Sequence, residues 1–152
     1  MPKLIVVLED NTDRVHAMKK RLEDRLSMYE HFITDDPHEL IGKLRERMDD
    51  VLALSLDHDL HERPDASTVL TGMMVADFLA TQQPRFPIIL HTSNTRDGET
   101  MKSRLVVKGW KVTWVTPFLD TAWVGDDWYP TLKRAIRRSA KTDQTSGVDD
   151  RN

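Results

Sequence analysis

The apolar positions of this chain fall into two alternating rhythms. Leu4–Leu8 is a continuous apolar run. Beyond Asn11 and Thr12, either of which can cap a helix, Val15, Met18, Leu22 and Leu26 follow helical spacing. A short strand at residues 31–34 precedes Asp36-Pro37, a cap and first-turn proline opening a helix with Leu40, Ile41, Leu44 and Met48 on one face. The strongest strand signal is Val51–Leu56. A polar loop over residues 61–67 then leads to a helix with Val69, Met73, Ala76 and Leu79 inward. Residues 86–90 and 110–115 read as strands four and five, separated by a helix around 99–108 that Gly109 closes where a left-handed residue is needed. After a longer loop, 117–125, Asp126-Asp127 can cap a last helix bearing Trp128, Leu132, Ala135 and Ile136, with Arg137 and Arg138 suited to its C-terminal dipole.

Five strands alternating with five helices imply an α/β fold, because parallel neighbours need right-handed crossovers and the helices then cover both faces of the sheet. The expected strand order is 2-1-3-4-5, with its switch point between strands one and three, where open α/β sheets bind ligands. Glu9-Asp10 and Asp57-His58-Asp59 come side by side there. A length of 152 residues suits one domain with a sizeable core, expected over residues 1–140. From residue 141 the chain has almost nothing to bury and is expected to be a disordered tail.

Composition removes several function classes. The formal net charge is -3, with 31% charged residues of both signs interspersed, so no global field draws the chain to nucleic acid or membrane. With no cysteine there is no disulfide, thiolate metal site or cysteine nucleophile. Met1-Pro2-Lys3 leads straight into the first strand without a signal-peptide core, and no apolar run reaches membrane-spanning length. A soluble cytoplasmic protein without a membrane partner is expected.

The strand ends carry the candidate chemistry. Val51–Leu56 ends in Asp57-His58-Asp59, two carboxylates flanking an imidazole that nothing structural requires. Leu4–Leu8 runs into Glu9-Asp10, residues 87–90 into His91-Thr92-Ser93-Asn94, and residues 112–115 into Thr116-Pro117. Carboxylates meeting in a crevice repel unless a cation or proton relieves them, so Asp10 and Asp57 read as more than strand caps. His91 gains interest from its expected nearness to His58. His16, His31 and His38 read as structural, His61 and Glu62 as solvated loop residues, and Trp123 and Trp128 as packing rather than base-stacking groups.

With these residues in place, the chain resembles the receiver domains of two-component response regulators, by element order over roughly residues 3–139. The resemblance implies a flavodoxin-like (receiver-like) three-layer α/β/α fold with a five-stranded parallel sheet. It also implies Mg²⁺ at Glu9, Asp10 and Asp57, a phosphoryl acceptor at Asp57 and a phosphoryl contact from Thr92. Three features depart from it. Thr116-Pro117 stands where receivers carry a lysine before proline; His58, Asp59 and His91 add titratable groups that phosphoryl acceptance does not need; and the loop from Asp57 to Gly72 is long, with His61, Glu62, Arg63 and Asp65. Together these are similar to the cyclic-phosphate processing receiver domains, in the segments Leu56-Asp57-His58-Asp59-Leu60 and His91-Thr92-Ser93-Asn94.

That second resemblance implies a phosphoesterase, a hydrolase of RNA processing, acting on a cyclic phosphate of RNA or a nucleotide. Opening a cyclic phosphodiester needs an in-line water, a base for its proton, an acid for the leaving oxygen and donors or cations for the phosphoryl oxygens. The expected catalytic set is His58, His91 and Asp57, and Thr92, Ser93 and Asn94 are the expected phosphate donors. Glu9, Asp10, Asp57 and Asp59 are the expected ligands of a divalent cofactor, Mg²⁺ or Mn²⁺; adding His58 or His91 would favour Mn²⁺ or Zn²⁺. The expected partner is a phosphate-containing small molecule or an RNA end, whose backbone Arg63, Arg96 or the basic clusters near 19–21 and 133–138 would guide. Two alternatives remain: a phosphoacceptor receiver in signal transduction, and a pseudo-receiver that binds a protein partner.

Overall fold

Ladder pairing runs in one parallel sheet, β2-β1-β3-β4-β5, which is the expected order. The strands are β1 (Leu4–Leu8), β2 (Glu30–Thr34), β3 (Val51–Leu56), β4 (Ile88–His91) and β5 (Val112–Val115). The helices are α1 (Thr12–Arg25), α2 (Pro37–Arg47), α3 (Met73–Leu79), α4 (Thr95–Val107) and α5 (Tyr129–Asp149). The structure, a computed structural model, describes residues 2–60 and 70–149, with side chains to residue 140. The expected inward position of Val69 lies outside those residues.

The continuous apolar runs are explained by burial on both faces. Leu4, Val6, Leu8, Leu54, Leu56, Ile88 and Leu90 pack with Leu40, Leu44, Val75, Leu79, Met101 and Leu105 of α2, α3 and α4. Ile5, Val7, Ala53, Ile89 and Val115 pack with Met18, Leu22 and Leu132 of α1 and α5 and with Trp123, Val124 and Trp128 just before α5. Each fully buried Leu or Ile contributes about 1.5–3 kcal/mol, so the sheet is held from both sides rather than by one amphipathic face.

Caps start the helices where the sequence allows. The side chain of Asn11 accepts from Arg14 N at 3.0 Å, and Asp36 accepts from His38 N at 2.9 Å with Pro37 in the first turn. Helix α4 begins at Thr95, four residues before the expected start, because Asn94 caps it by accepting from Asp97 N at 3.0 Å. Its first turn, Thr95 to Gly98, carries no large apolar side chain, so periodicity is silent there. Gly109, at φ 95°, closes the helix as expected.

The entry to α5 differs from the expectation. Asp126 and Asp127 do not cap it; they lie inside a π-helical turn, Val124–Trp128, which has no side-chain cap, and upstream of it Asp120 Oδ1 accepts from Ala122 N at 2.8 Å. Pro130 supplies the reason, since it has no N–H to give and its ring crowds the carbonyl four residues back, which a wider turn relieves. The helical backbone continues to Asp149, past residue 141 where the sequence suggests a tail. No peptide bond among the described residues is cis, Thr116-Pro117 included.

Candidate metal centre and phosphate site

Strand register assembles the centre. Leu8 pairs with Leu56, and Leu56 with Leu90, so the next residues along, Glu9, Asp57 and His91, form one row across three neighbouring strands. The pleat carries past the strand ends, since Asp57 N donates to Leu8 O at 3.1 Å and Glu9 N to Thr34 O at 3.0 Å. Side chains alternate between faces with a period of two. Glu9 follows Ile5 and Val7, Asp57 follows Ala53 and Ser55, and His91 follows Ile89, so all three belong to the α1/α5 face. His58 has the opposite parity.

The row is buried: Glu9, Asp57 and His91 are 1%, 4% and 0% exposed. Their ligand-type atoms lie within 4.8 Å of one another. Glu9 Oε2 accepts the backbone N–H groups of Asp10 at 2.9 Å and Asn11 at 3.2 Å, and Asp57 Oδ1 accepts His58 N at 2.8 Å. Arg14, on the first turn of α1, is the neighbouring cation: its Nη1 is 3.5 Å from Glu9 Oε1 and 3.8 Å from Asp57 Oδ2. The guanidinium rests 5.5 Å from the centre of the Trp123 ring, which stacks on His91.

Burial works against the Glu9 charge, yet the His91 imidazole, the Asn11 N–H and Arg14 together hold its carboxyl down to about 2. Asp57 is pushed up to about 8, by burial first and by the charge of Glu9 next, against Arg14 and the His58 N–H. The pair thus keeps one negative charge and one proton near neutrality. Glu9 Oε1 and His91 Nε2 are buried without a hydrogen-bond partner among the described residues, although they approach to 3.4 Å. A divalent cation fits this set, because it replaces the shared proton and gives a direct partner to the Glu9 oxygen that has no hydrogen bond.

A second cluster lies beside the first. His58 Nδ1 meets Asp59 Oδ1 at 2.7 Å, and His58 Nε2 is 3.7 Å from Asp97 Oδ2. Asn94 Nδ2 joins the two aspartates, donating to Asp97 Oδ2 at 2.9 Å and to Asp59 Oδ1 at 3.2 Å. The return of the chain from the long loop pins this corner: Asp59 bridges Thr71, and Gly72 N donates to His58 O at 2.9 Å. A Cβ at Gly72 would stand 1.9 Å from the Asp57 carbonyl oxygen, so only glycine permits that approach.

The expected residues thus divide into two sets. Glu9, Asp57 and His91 come together, and His58 and Asp59 come together with Asp97, but His58 and His91 belong to different clusters because their parities differ. Asp10 is half-buried and in neither cluster. Thr92 is buried, its Oγ1 accepting from Asn94 N at 3.1 Å, while Ser93 is exposed at the start of α4. Sequence reasoning misses Arg14, Ser55 and Asp97. The signal for Arg14 and Asp97 is shared: each is the third residue beyond an asparagine cap at a strand end, so its first-turn side chain returns towards the strand. Thr116 is exposed, so the cation beside Asp57 comes from α1 rather than from the loop after β5.

The model of the cyclic-phosphate processing receiver domain matches residues 5–106. The chain belongs to this receiver family. Its fold is similar to the signal receiver domain of a Luxo repressor protein from Vibrio parahaemolyticus, at 18% identity and TM-score 0.67 over 95% of this chain and 98% of that one. It is also similar to the response regulator domain of Thermotoga maritima CheB, at 16% identity and TM-score 0.63 over 90% and 98%. NtrX from Brucella abortus aligns at 18% identity and TM-score 0.69 over 97% of this chain, which spans 30% of that longer protein. No curated protein matches the sequence. Among the described residues no helix is long and apolar enough to cross a membrane.

Proposed function

We propose that this receiver-like domain binds and hydrolyses a phosphate ester, with a cyclic phosphate on an RNA end or a nucleotide as its substrate. The observation that carries the reading is His58 held between Asp59 and Asp97, next to the buried Glu9–Asp57 pair. A phosphoacceptor needs one ionised aspartate and no imidazole; hydrolysis by water needs a base, and this corner has one with a carboxylate on either side.

Each group has a part in the step. Asp59 accepts a hydrogen bond from the Nδ1–H of His58, which leaves Nε2 as the nitrogen that accepts the proton of the attacking water. Asp97 faces the imidazolium that forms. The water oxygen bonds to phosphorus, the bond from phosphorus to one ribose oxygen breaks, and that oxygen takes a proton from solvent to leave a phosphomonoester. Ser93 and the first N–H groups of α4 present donors and a positive dipole end to the phosphoryl oxygens. A divalent cation, when held by Glu9 and Asp57, supplies positive charge for the same oxygens. His91, fully buried behind the carboxylates, positions Glu9 and does not meet the substrate.

Phosphorus NMR on 2′,3′-cyclic mononucleotides and on an oligoribonucleotide with a 2′,3′-cyclic end, in Mg²⁺ or Mn²⁺, tests the reading. Conversion to a monoester is expected. A wild type inert on all of these, yet gaining one phosphate at Asp57 from acetyl phosphate, would overturn it in favour of phosphoacceptance.

A further inference from the structure

We infer that His91 is a metal ligand, so that Glu9, Asp57 and His91 form a mixed oxygen and nitrogen site selective for Mn²⁺ or Zn²⁺ over Mg²⁺. The inference deepens the reading of the carboxylate pair as a cation site, and its test needs no substrate. Receivers hold Mg²⁺ with oxygen ligands alone. Here the row across β1, β3 and β4 ends in an imidazole whose Nε2 points at the carboxylates.

Three observations support it independently of the acidic pair. His91 is fully buried, and its Nε2 has no hydrogen-bond partner among the described residues. The 3.4 Å between Nε2 and Glu9 Oε1 is too long for a well-formed hydrogen bond and matches the edge of a tetrahedral site. Zinc bonds of about 2.0–2.1 Å to nitrogen and oxygen, at the tetrahedral angle, place adjacent ligand atoms about 3.4 Å apart. The other ring nitrogen, Nδ1, meets Ser55 Oγ at 2.6 Å, and Trp128 Nε1 donates to the same hydroxyl at 2.9 Å. Ligating histidines characteristically have their second nitrogen held in this way.

Those outer contacts make a tautomer switch. An indole N–H can only donate, so Ser55 Oγ accepts from Trp128. Without metal, the Ser55 hydroxyl proton goes to Nδ1, and the ring carries its own proton on Nε2, facing Glu9. With metal, Nε2 must offer its lone pair, and the ring proton moves to Nδ1 and donates to the second lone pair of Ser55 Oγ. The π-helical turn makes this outer shell: five residues of a wider turn bring Trp123, stacked on the ring, and Trp128, bonded to Ser55, round to one side. Arg14, about a quarter exposed, balances the carboxylates in the metal-free protein. A cleft of about 380 Å³ lined by Glu9, Asp10, Asp35 and Glu39 lies on the Glu9 side of the site.

Chelator-treated full-length protein is titrated calorimetrically with Mg²⁺, Mn²⁺ and Zn²⁺, and the Mn²⁺ form is examined by pulsed electron paramagnetic resonance. Mn²⁺ and Zn²⁺ are expected to bind at least tenfold tighter than Mg²⁺, and the Mn²⁺ spectrum to show nitrogen coupling that His58→Ala retains and His91→Gln loses. If His91→Gln does not fold, long-range proton–nitrogen NMR of the wild type decides, with His91 assigned through its contacts to Trp123: Zn²⁺ is expected to move the ring proton from Nε2 to Nδ1. Mn²⁺ bound without nitrogen coupling, coupling lost in His58→Ala, a ring proton that stays on Nε2, or equal affinity for Mg²⁺ would each overturn the proposal. None of these outcomes depends on whether a cyclic phosphate is turned over.

Discussion

Arg47, at the amino ends of the strands, and Glu9, at the carboxyl ends, are charged groups of similar burial, 7% and 1% exposed. Their surroundings differ in kind. The Arg47 guanidinium donates to Glu30, to Asp50 at 3.3 Å and to the Pro2 carbonyl at 2.7 Å, and its acidic partners raise its already high pKa further. Opposite charges meet there, and the donors are used. Around Glu9 two acids are pressed together, one of them keeps its proton to about 8, and a carboxylate oxygen and an imidazole nitrogen face each other without a hydrogen bond, with Arg14 only at ion-pair distance. A buried ionic group that only stabilises a fold closes on itself, because an unsatisfied charge costs several kcal/mol. A group left open at that cost marks the end of the sheet where a ligand completes the balance.

The sharpest way to break this comparison is at the His58 corner. If the open end does chemistry, His58→Ala lowers the rate on 2′,3′-cyclic nucleotides by roughly 10²–10⁴-fold and leaves the melting temperature near that of wild type. Initial rates and a thermal melt measure both; a variant within a few-fold of wild type would remove His58 from the reaction.

The next effect is on stability without metal, and its sign differs between the ends. Folded Asp57 holds its proton to about 8, whereas the unfolded chain loses it near the ordinary 3.8. Between these values the folded state binds more protons, so stability falls as pH rises, with a slope of up to roughly 1.4 kcal/mol per pH unit. Glu9 acts in a lower window, from about 2 to 4.5, where the folded state binds fewer protons and stability rises with pH. Urea unfolding in chelator is expected to show stability declining from pH 5 to 8, a decline that Asp57→Asn or saturating Mn²⁺ removes. Asp57→Asn is expected to be at least as stable as wild type at pH 8, and Arg47→Met less stable. Two destabilised variants would show that the Asp57 end is as closed as the other.

These regions were not equally legible in the sequence. Strands β1 and β3 match their apolar runs residue for residue, and the order 2-1-3-4-5 brings Glu9 beside Asp57 before any coordinates are known. The parity of the strands was equally available, and applied to residues 57, 58 and 91 it separates His58 from His91. What periodicity cannot show is the first turn of a helix that carries no apolar residue. That is how the start of α4 and, with it, Asp97 escape; Arg14, in a helix whose start was legible, passes as one more surface charge among the basic residues of α1. Ser55 is invisible for another reason: a lone hydroxyl in an apolar strand acquires meaning only when register sets it against His91 and the π-helical turn brings Trp128 to it.

The smallest effect separates fold from site at a residue that serves both. Asn94 caps α4 through its Oδ1 and ties Asp59 to Asp97 through its Nδ2. Asn94→Ala removes both functions and is expected to cost about 1 kcal/mol, read as a lowered melting temperature, together with a loss of turnover. Asn94→Ser keeps a capping oxygen but has no amide to reach the two carboxylates, so it is expected to recover the stability and not the rate. Released from the amide, Asp59 and Asp97 no longer hold the imidazole from fixed directions, and its two nitrogens lose their separate tasks. If Asn94→Ser restores both stability and turnover, Asn94 is a helix cap alone, and the orientation of His58 rests on Asp59 without help from the start of α4.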